Sequence, residues 1–529
     1  MKGRAMKANS KSLFRTLRLA RTGIAGLVFI LFYLSISFTG PLYKNILDTL
    51  TSLQFLPSFI NVAVAGGAWI GAGFFPVLLL TLLLGRVYCS TLCPLGILQD
   101  VVLFLSRRIA RRTMRYRNGG WNIHVSVTLL TFSLAAAGIP VLLGLLEPFA
   151  FWGRTYRDVI VPLGRLISTG LVEAMKSFRI YLSPVPFEGE PGAVFMTVIL
   201  LAALVLLTVR YGRWYCNRLC PAGCVLRAVS IRPAWSIRFV PDKCTSCGSC
   251  ASICRSGCID IEAQTVFSDR CVVCFDCLSA CPFGALEIGG NYRKSKNRIS
   301  KKQPADPNRR KAVVAAAGAL LAAAGVTAGA GVLGQSYGTA KKADRTVIPP
   351  GSGSLYRYTS RCISCHTCVS VCPTHVLQPS FFALGVSGFL QPVMDYRSGY
   401  CEWECNVCTQ VCPTGALSPI TVKNKQALQL GRVEFVEDRC VVFSQGTACG
   451  ACAEVCPTQA VRMVPFRGDL TQPFTDNAIC SGCGSCEYAC PVDGEKAIFV
   501  RGLDSHQARE VRETEQSPFS VDVPEEFPF

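Results

Sequence analysis

The cysteines of this chain constrain its fold more than any other feature, because most of them recur in one spacing. The sequence contains 30 cysteines in 529 residues, and 24 of them fall into six groups of four. Most groups follow the order C-x2-C-x2-C-x3-C, and in five of the six the last cysteine precedes a proline. The exception is Cys254, which precedes Arg255.

Such dense runs are typical of 4Fe-4S clusters, in which each of four irons takes one thiolate. Structural zinc sites use two C-x-x-C pairs with a longer gap between them, and disulfides need no repeated short spacing. In paired runs the fourth cysteine ligates the cluster of the other run. The sequence therefore predicts six 4Fe-4S clusters held by the following crossed sets: Cys244, Cys247, Cys250 and Cys281; Cys271, Cys274, Cys277 and Cys254; Cys362, Cys365, Cys368 and Cys412; Cys401, Cys405, Cys408 and Cys372; Cys440, Cys449, Cys452 and Cys490; Cys480, Cys483, Cys486 and Cys456.

One run overlaps a second cofactor signature. Cys362, Cys365 and His366 spell C-x-x-C-H, the attachment motif of a c-type haem. Assigning them to haem would leave Cys368 and Cys372 without their partners, so we interpret the run as a cluster site. The chain has 4 histidines, and only His124 lies in an apolar segment, which excludes a haem b held by two histidines within the membrane.

Five segments without Asp, Glu, Lys or Arg approach or exceed the roughly 20 residues that cross a bilayer. They lie near 22–43, 61–85, 120–146, 191–209 and 312–338. The fifth consists mostly of alanine and glycine. With 50% hydrophobic and 17% charged residues, the composition is consistent with membrane-embedded mass.

The charge between these segments alternates, which predicts their direction. Residues 1–21, 86–117, 210–240 and 291–311 carry net charges of +7, +6, +6 and +8, whereas 44–60, 147–190 and 339–529 carry 0, 0 and −4. Basic loops stay in the cytoplasm. The N-terminus is therefore predicted inside a bacterial inner membrane and the C-terminal part in the periplasm. This pattern, rather than nucleic-acid binding, accounts for the net charge of +20.

The fold class predicted is a membrane α-helical domain of about five transmembrane helices plus α+β double-cluster ferredoxin domains of the bacterial type. A segment at 155–175 is predicted to be an amphipathic surface helix. The predicted division is 1–240, membrane domain; 241–290, cytoplasmic ferredoxin; 291–340, basic flank and fifth span; 341–425 and 426–504, two periplasmic ferredoxins; 505–529, an acidic disordered tail.

A shorter cysteine motif occurs twice within the membrane domain. Cys89 and Cys93 lie in RVYCSTLCPLG, and Cys216 and Cys220 lie in RWYCNRLCPAG, each at the inner end of a predicted span. If these segments are helical, residues i and i+4 share a face, and the two pairs could form one four-thiolate redox or metal site. Reducible thiol pairs and buried packing cysteines are the alternatives. Two further residues, Cys224 and Cys258, match no group and are predicted to be plain thiols.

With these motifs the chain resembles known polyferredoxins. The first four spans, both C-x3-C-P motifs and the first ferredoxin resemble NapH of periplasmic nitrate reduction and the related NosR, although the S/T-G-A-T flavin motif of the latter is absent. Residues 308–529 resemble NapG and MauM, including the C-x3-C start at Cys401 and the C-x8-C gap at Cys440. Arg309 and Arg310 resemble a twin-arginine signal, or are simply basic flank residues.

The resemblance implies a quinol dehydrogenase that passes electrons from membrane quinol to a periplasmic reductase or c-type cytochrome. Electron supply for maturation of a periplasmic metalloenzyme, and reverse flow into quinone, remain alternatives. Trp152 and Arg154 are candidates for quinone contact at the outer surface, or for interface anchors. About 30 Å of hydrocarbon separates the two faces. Either quinol bridges this gap, or the C-x3-C-P sites extend the cluster relay inward.

Overall fold

The computed structural model describes residues 2–37, 41–65, 73–110, 120–164, 166, 190–290 and 345–510. The predicted fifth span with its twin-arginine-like start lies outside the described residues, as do the last 19 residues of the predicted tail, 511–529. The final strand ends at Ala508, so it continues past the predicted boundary at residue 505.

The N-terminal domain is helical. Its helices span Lys2–Ser37, Pro41–Ser52, Phe55–Ala65, Phe74–Leu84, Tyr88–Thr91, Pro94–Ala110, Trp121–Ala136, Val141–Leu146, Pro148–Thr155, Pro191–Tyr211, Trp214–Arg218 and Pro221–Val229, with a π-helical turn at Tyr156–Ile160. Several begin with proline, whose fixed φ and missing N–H suit the first helical position. Two end at glycines with positive φ, Gly85 (85°) and Gly212 (67°), which reverse the chain into the C-x3-C-P segments.

Two helical stretches are long and apolar enough to cross a membrane: Leu13–Ser37, which is the larger part of the first helix, and Pro191–Tyr211. Each exposes large apolar side chains, such as Leu27 on the first and Leu206 on the second, which suits contact with lipid. The helices at the other predicted spans are shorter, for example Phe74–Leu84. Within the described residues five spans are thus not shown.

The first ferredoxin unit is built on two small antiparallel sheets. Strand β1 (Trp235–Phe239) pairs with β4 (Leu286–Gly290), and β2 (Ile259–Asp260) pairs with β3 (Thr265–Val266). Its short helices are Ser249–Ser252 and Asp276–Ala280, with a 3-10 turn at Pro241–Lys243. Because β1 belongs to this sheet, the unit begins before the predicted boundary at residue 241.

The second and third units have the same α+β character. In the second, β5 (Leu377–Pro379) pairs with β6 (Pro392–Met394). In the third, β7 (Leu428–Phe435) pairs with β10 (Ile498–Ala508), and β8 (Val461–Pro465) pairs with β9 (Thr471–Thr475). Their helices are Leu355–Arg361, Thr367–Ser370, Val407–Gln410, Val422–Gln426, Val441–Ser444, Ala451–Glu454 and Ser485–Ala489, with a 3-10 turn at Glu437–Arg439.

Helix Pro191–Tyr211 has the first ferredoxin unit at one end and the second at the other. Beyond its C-terminus, the Arg213 amide donates to the Arg255 carbonyl of the first unit at 3.0 Å. Beside its N-terminus, a Cβ on Gly192 would lie 2.7 Å from the ring of Phe381 in the second unit. A helix of 21 residues is about 31 Å long. The two units therefore lie on opposite sides of the helical domain.

Candidate functional site

Seven of the eight predicted ligands of the first ferredoxin unit form two sets in space, and the eighth, Cys247, is exposed and bonds to Ser249. Burial raises the pKa of the Cys277 thiol, and three neighbouring thiols raise it further: Cys274, Cys271 and Cys254. Burial likewise raises the pKa of Cys250 to about 11, with contributions from the thiols of Cys281 and Cys244. The fourth cysteine of each run thus lies near thiols of the other run, and crossed ligation of clusters by these sets stays a prediction.

The second and third ferredoxin units repeat this grouping. Burial is the largest cause of a raised pKa at Cys368, Cys408, Cys452 and Cys486, and neighbouring thiols come next. The neighbouring thiols are as follows: Cys365, Cys362 and Cys412 around Cys368; Cys401, Cys372 and Cys405 around Cys408; Cys449, Cys440 and Cys490 around Cys452; Cys483, Cys480 and Cys456 around Cys486. The eight-residue gap after Cys440 therefore does not remove that cysteine from its set.

The cysteine runs wrap inward because residues between the cysteines adopt left-handed conformations. Ser246, Val273 and Ser364 have φ of 56°, 52° and 52°, which is uncommon for residues other than glycine. His366, the residue of the haem-like motif, has φ 57° and shares this role. Its Nε2 lies 2.8 Å from the Leu390 carbonyl, and burial lowers its pKa to about 4.

Each donor set offers four thiols, one for each iron of a cube. A cube with one thiolate on each iron holds its ligands further apart than one zinc does. Backbone amides also donate to sulfur, as Ala285 does to Cys281 Sγ at 3.2 Å and Leu417 to Cys412 Sγ at 3.4 Å. Such bonds favour thiolates and tune cluster potentials.

Successive sets contact one another along the outer units. The thiols of Cys368 and Cys408, which belong to the two sets of the second unit, pack in the same core and interact electrostatically. The amide of Cys401 donates to the Cys483 carbonyl at 2.9 Å, which joins the second unit to the third. Tyr396 donates its hydroxyl to the adjacent Gly482 carbonyl at 2.5 Å. The cysteine sets of the second and third ferredoxin units therefore form a series rather than separate sites.

The structure also brings the two C-x3-C-P motifs together. The four thiols of Cys89, Cys93, Cys216 and Cys220 lie in one apolar core of the helical domain. Cys274 of the first ferredoxin belongs to that core, and Cys365 of the second packs against it. The core that holds these cysteines therefore includes or contacts one predicted ligand from each of the two ferredoxin units.

The two unassigned cysteines differ in their surroundings. Cys224 packs with Trp121 and Val125 and lies in none of the thiol sets. Cys258 Sγ lies 3.5 Å from Cys254 Sγ, so it is next to a predicted ligand. Its position four residues after Cys254, as in C-x3-C, was the signal that could have identified this proximity.

The predicted quinone-contacting residues do not lie on the surface. Trp152 and Arg154 are 0% and 1% exposed. Arg154 donates to the Gly144 carbonyl at 2.9 Å and to the Ser364 carbonyl of the second ferredoxin at 3.1 Å. Both residues belong to the contact between the helical domain and this ferredoxin. The prediction of surface exposure is wrong, because the outer unit covers this segment.

The predicted amphipathic surface helix also begins in this contact. The side chains of Tyr156, Arg157 and Asp158 are buried. Arg157 donates to Gln378 Oε1 of the second ferredoxin at 2.8 Å, and Asp158 accepts from Thr197 Oγ1 at 2.7 Å. Residues 167–175 lie outside the described part of the chain.

A buried ion-pair network joins the first ferredoxin to the helical domain. Asp100 accepts from Arg213 at 2.7 Å, Arg255 at 2.7 Å and Arg21 at 3.0 Å. Arg255 also contacts Asp276 at 2.6 Å. Burial alone would raise the pKa of Asp100, but the guanidinium groups outweigh it and lower the pKa to about 2. Arg255 replaces the expected proline after Cys254, and this network explains why.

Comparisons with known proteins agree with the cysteine groups. A family model for a 4Fe-4S binding domain matches residues 66–112 and again 193–238, around the two C-x3-C-P motifs. Another 4Fe-4S binding domain model matches 241–257, and a 4Fe-4S dicluster domain model matches 361–416 and 445–494.

One curated relative is "Putative electron transport protein YccM" of Escherichia coli (strain K12), which is 24% identical over 179 residues. The match covers 34% of this chain and 44% of YccM, so the chain spans less than half the length of that relative. No solved structure matches the chain. The domains and this relative support an iron–sulfur electron-transfer protein of the polyferredoxin type.

Proposed function

We propose that this polyferredoxin is a membrane-bound quinol dehydrogenase component that carries electrons from quinol to an acceptor on the far side of the membrane. The acceptor would be a periplasmic reductase or a c-type cytochrome. The relative YccM is named as an electron transport protein, which supports the general role. The specific donor and acceptor rest on the resemblance to NapH and NapG.

The observation that carries the proposal is the unbroken series of cysteine sets. The sets run from the first ferredoxin, past the C-x3-C-P cysteines, into the second and third ferredoxins. A soluble carrier would not need ferredoxin units on opposite ends of a membrane-length helix. Together with the alternating loop charges, this arrangement supports a bacterial inner membrane with the first unit inside and the others outside.

The protein's own residues supply burial and position. Quinol oxidation releases two electrons and two protons, and iron–sulfur cubes accept electrons one at a time. The crossed sets hold each predicted cube between two runs, so that loss of one run disturbs two cubes. Apolar packing around sulfur, as at Cys486 within the core of the third unit, excludes water from the path.

The six crossed sets are proposed to hold six 4Fe-4S clusters, and this can be tested with Cys405→Ser. The matched control is Cys224→Ser, since that cysteine is buried and belongs to no set. We expect Cys405→Ser to lose about four irons per chain, the content of one cube, whereas the control keeps its iron.

Electron transfer is measured with the full chain in lipid vesicles to which menaquinol is added. The visible absorbance of the clusters reports their oxidation state. Wild-type protein should lose absorbance on addition of quinol and regain it when an external c-type cytochrome is added. The Cys405→Ser variant should reduce that cytochrome at least about tenfold more slowly, because one member of the series is missing. Clusters that do not respond to quinol, or a variant with wild-type iron content and rate, would overturn the proposal.

A further inference from the structure

The two C-x3-C-P segments are copies of a longer repeat. Residues 85–96 and 212–223 share the pattern G-R-x-Y-C-x2-L-C-P-x-G. In each copy a short helix carries the first cysteine, and the second cysteine directly precedes the proline of the next helix. The same hydrogen bond closes both turns: Cys93 N–H to the Tyr88 carbonyl at 3.0 Å, and Cys220 N–H to the Tyr215 carbonyl at 3.1 Å.

The two copies face each other with reciprocal contacts. Arg213 of the second copy donates to the carbonyl of Cys89 in the first copy at 2.6 Å. Arg86 of the first copy donates to the carbonyl of Cys216 in the second at 3.5 Å. Each arginine thus binds the backbone of the other copy's first cysteine. This exchange relates the copies by an approximate two-fold rotation and directs both cysteine pairs to a shared centre.

Glycine in each copy permits this close approach. A Cβ on Gly96 would lie 2.2 Å from the Cys89 carbonyl oxygen, and one on Gly223 would lie 2.3 Å from the Cys216 carbonyl oxygen. No side chain fits at such distances. The helix that follows the second cysteine can therefore fold back onto the first cysteine in both copies, which places the two thiols of a copy side by side.

All four thiols are buried and lie within electrostatic range across the copies. Their residues are at most 6% exposed. The thiols of Cys89 and Cys216, one from each copy, are close enough to the Cys93 thiol to interact with it electrostatically. The amide of Gly223 donates to Cys220 Sγ at 3.2 Å, which is the kind of bond that stabilises a thiolate.

A buried positive charge at this site lacks a carboxylate partner. Arg86 is 0% exposed and donates to the Asn217 side-chain oxygen at 2.5 Å and to the Arg270 carbonyl at 2.7 Å, besides the Cys216 carbonyl. None of these acceptors is charged, and no carboxylate within the described residues pairs with it. A guanidinium buried without an anion is unfavourable. Thiolate ligands would supply negative charge beside this guanidinium, both at the shared centre and at Cys271 of the first ferredoxin, whose thiol also interacts with Arg86.

From this geometry we infer that Cys89, Cys93, Cys216 and Cys220 together hold a further 4Fe-4S cluster inside the helical domain. The family model that matches both copies describes 4Fe-4S binding but assigns no residues. Four thiols from two related copies match the demand of a cube for one ligand at each iron.

The position of this cluster suggests its role, which rests on the proposed function. Cys274 of the first ferredoxin belongs to the core that holds the four thiols, and Cys365 of the second packs against it. The Tyr215 hydroxyl, one residue before Cys216, donates to the Leu146 carbonyl of the outer segment at 2.6 Å. The cluster would therefore connect the inner and outer series directly, so that electrons cross the membrane within the protein and quinol need not shuttle between faces.

Native mass spectrometry of the full chain, purified anaerobically in detergent, tests the inference. Each 4Fe-4S cube adds about 350 Da, so the number of cubes can be read from the mass. We compare the wild type with Cys89→Ser/Cys216→Ser and with Cys224→Ser as the matched control. The double variant should hold one cube fewer than the wild type, and the control should equal it. The wild type should reach seven cubes when all six ferredoxin sets are filled.

Two results overturn the inference. The first is an equal number of cubes in the wild type and the double variant. The second is a wild-type chain with six cubes in which the four C-x3-C-P cysteines can be alkylated or are joined by disulfides. The second result needs no variant to fold. If the count is six while quinol still reduces the cytochrome, the proposed function stands and this inference fails. If the count is seven but quinol has no effect, the cluster exists and the proposed function fails.

Discussion

Replacing Asp100 with asparagine removes the one carboxylate that three buried arginines share. The side chain contacts Arg213, Arg255 and Arg21, and within the described part of the chain only Arg255 among them has a second carboxylate partner, Asp276. Arg255 belongs to the first ferredoxin and the other two to the helical domain. The substitution keeps the shape of the side chain but leaves a concentration of positive charge at the contact between the two domains.

The structure allows the size of this effect to be calculated in two ways. Folding lowers the pKa of Asp100 from 3.8 to about 2. At about 1.4 kcal/mol for each pKa unit, this corresponds to about 2.5 kcal/mol of stabilisation by the ionised form. Removing one partner of a buried ion pair costs about 3–5 kcal/mol, because the remaining charge stays desolvated. We therefore expect a loss of about 2–5 kcal/mol in the attachment of the first ferredoxin.

Hydrogen exchange in detergent measures this attachment. If opening of the contact becomes easier by at least about 2 kcal/mol, amides of β1 and β4 should exchange at least about thirtyfold faster in Asp100→Asn. Glu262→Gln is the matched control, since this carboxylate is exposed and contributes little. Because the folded pKa is lowered, the stabilisation is complete above about pH 4 and is lost only as pH falls towards 2. Exchange that is unchanged in the variant, or a difference that varies between about pH 6 and 8, would refute the reasoning.

Two further predictions concern the outer contacts. Gly153→Ala places a Cβ 2.1 Å from the Cys365 carbonyl oxygen, so we expect the second ferredoxin to separate from the helical domain. Residues 345–510 should then become sensitive to protease. Gly164→Ala is the control, because its Cβ would have no atom within 4 Å, and it should leave the digestion pattern unchanged. Tyr215→Phe removes the bond to the Leu146 carbonyl and should lower thermal stability by about 1 kcal/mol without loss of iron. Loss of a cube in Tyr215→Phe would show that the hydroxyl has a role other than packing.

The cysteine sets could be predicted from sequence because the information is local. Spacing within a run specifies which thiols can turn inward, and the positive φ of residues such as Ser246 and Val273 belongs to the same short loops. The crossed neighbours follow from the general rule for paired runs. Strand boundaries were less accessible: β1 lies before the first cysteine run and pairs with residues about fifty positions later.

The contacts between units could not be predicted, because they depend on residues far apart in sequence. Arg86 and Arg213 belong to segments whose charge predicts inner loops, yet both are fully buried and donate to the opposite motif. Trp152 and Arg154 resembled surface anchors only because a covering domain more than 190 residues later could not be placed. The sequence does carry one signal, because G-R precedes Y-C by the same spacing in both copies. The positive-inside rule alone does not require an arginine at the same position of each copy.

The same contacts change how the membrane constrains electron transfer. With ferredoxins confined to the two surfaces, about 30 Å of hydrocarbon would separate their clusters. The structure instead brings Cys365 of the second ferredoxin into contact with the core that holds Cys89 and Cys216. The C-x3-C-P turn also reaches the segment at Leu146, since the Tyr215 hydroxyl donates to the Leu146 carbonyl at 2.6 Å. The glycines at 144 and 153, where a Cβ would lie 2.7 Å and 2.1 Å from backbone oxygens of the second ferredoxin, make this depth possible. Under the proposed function, the distance that electrons must cross depends on how deeply the second ferredoxin is seated, and substitutions at these glycines should slow transfer even where every cluster is retained.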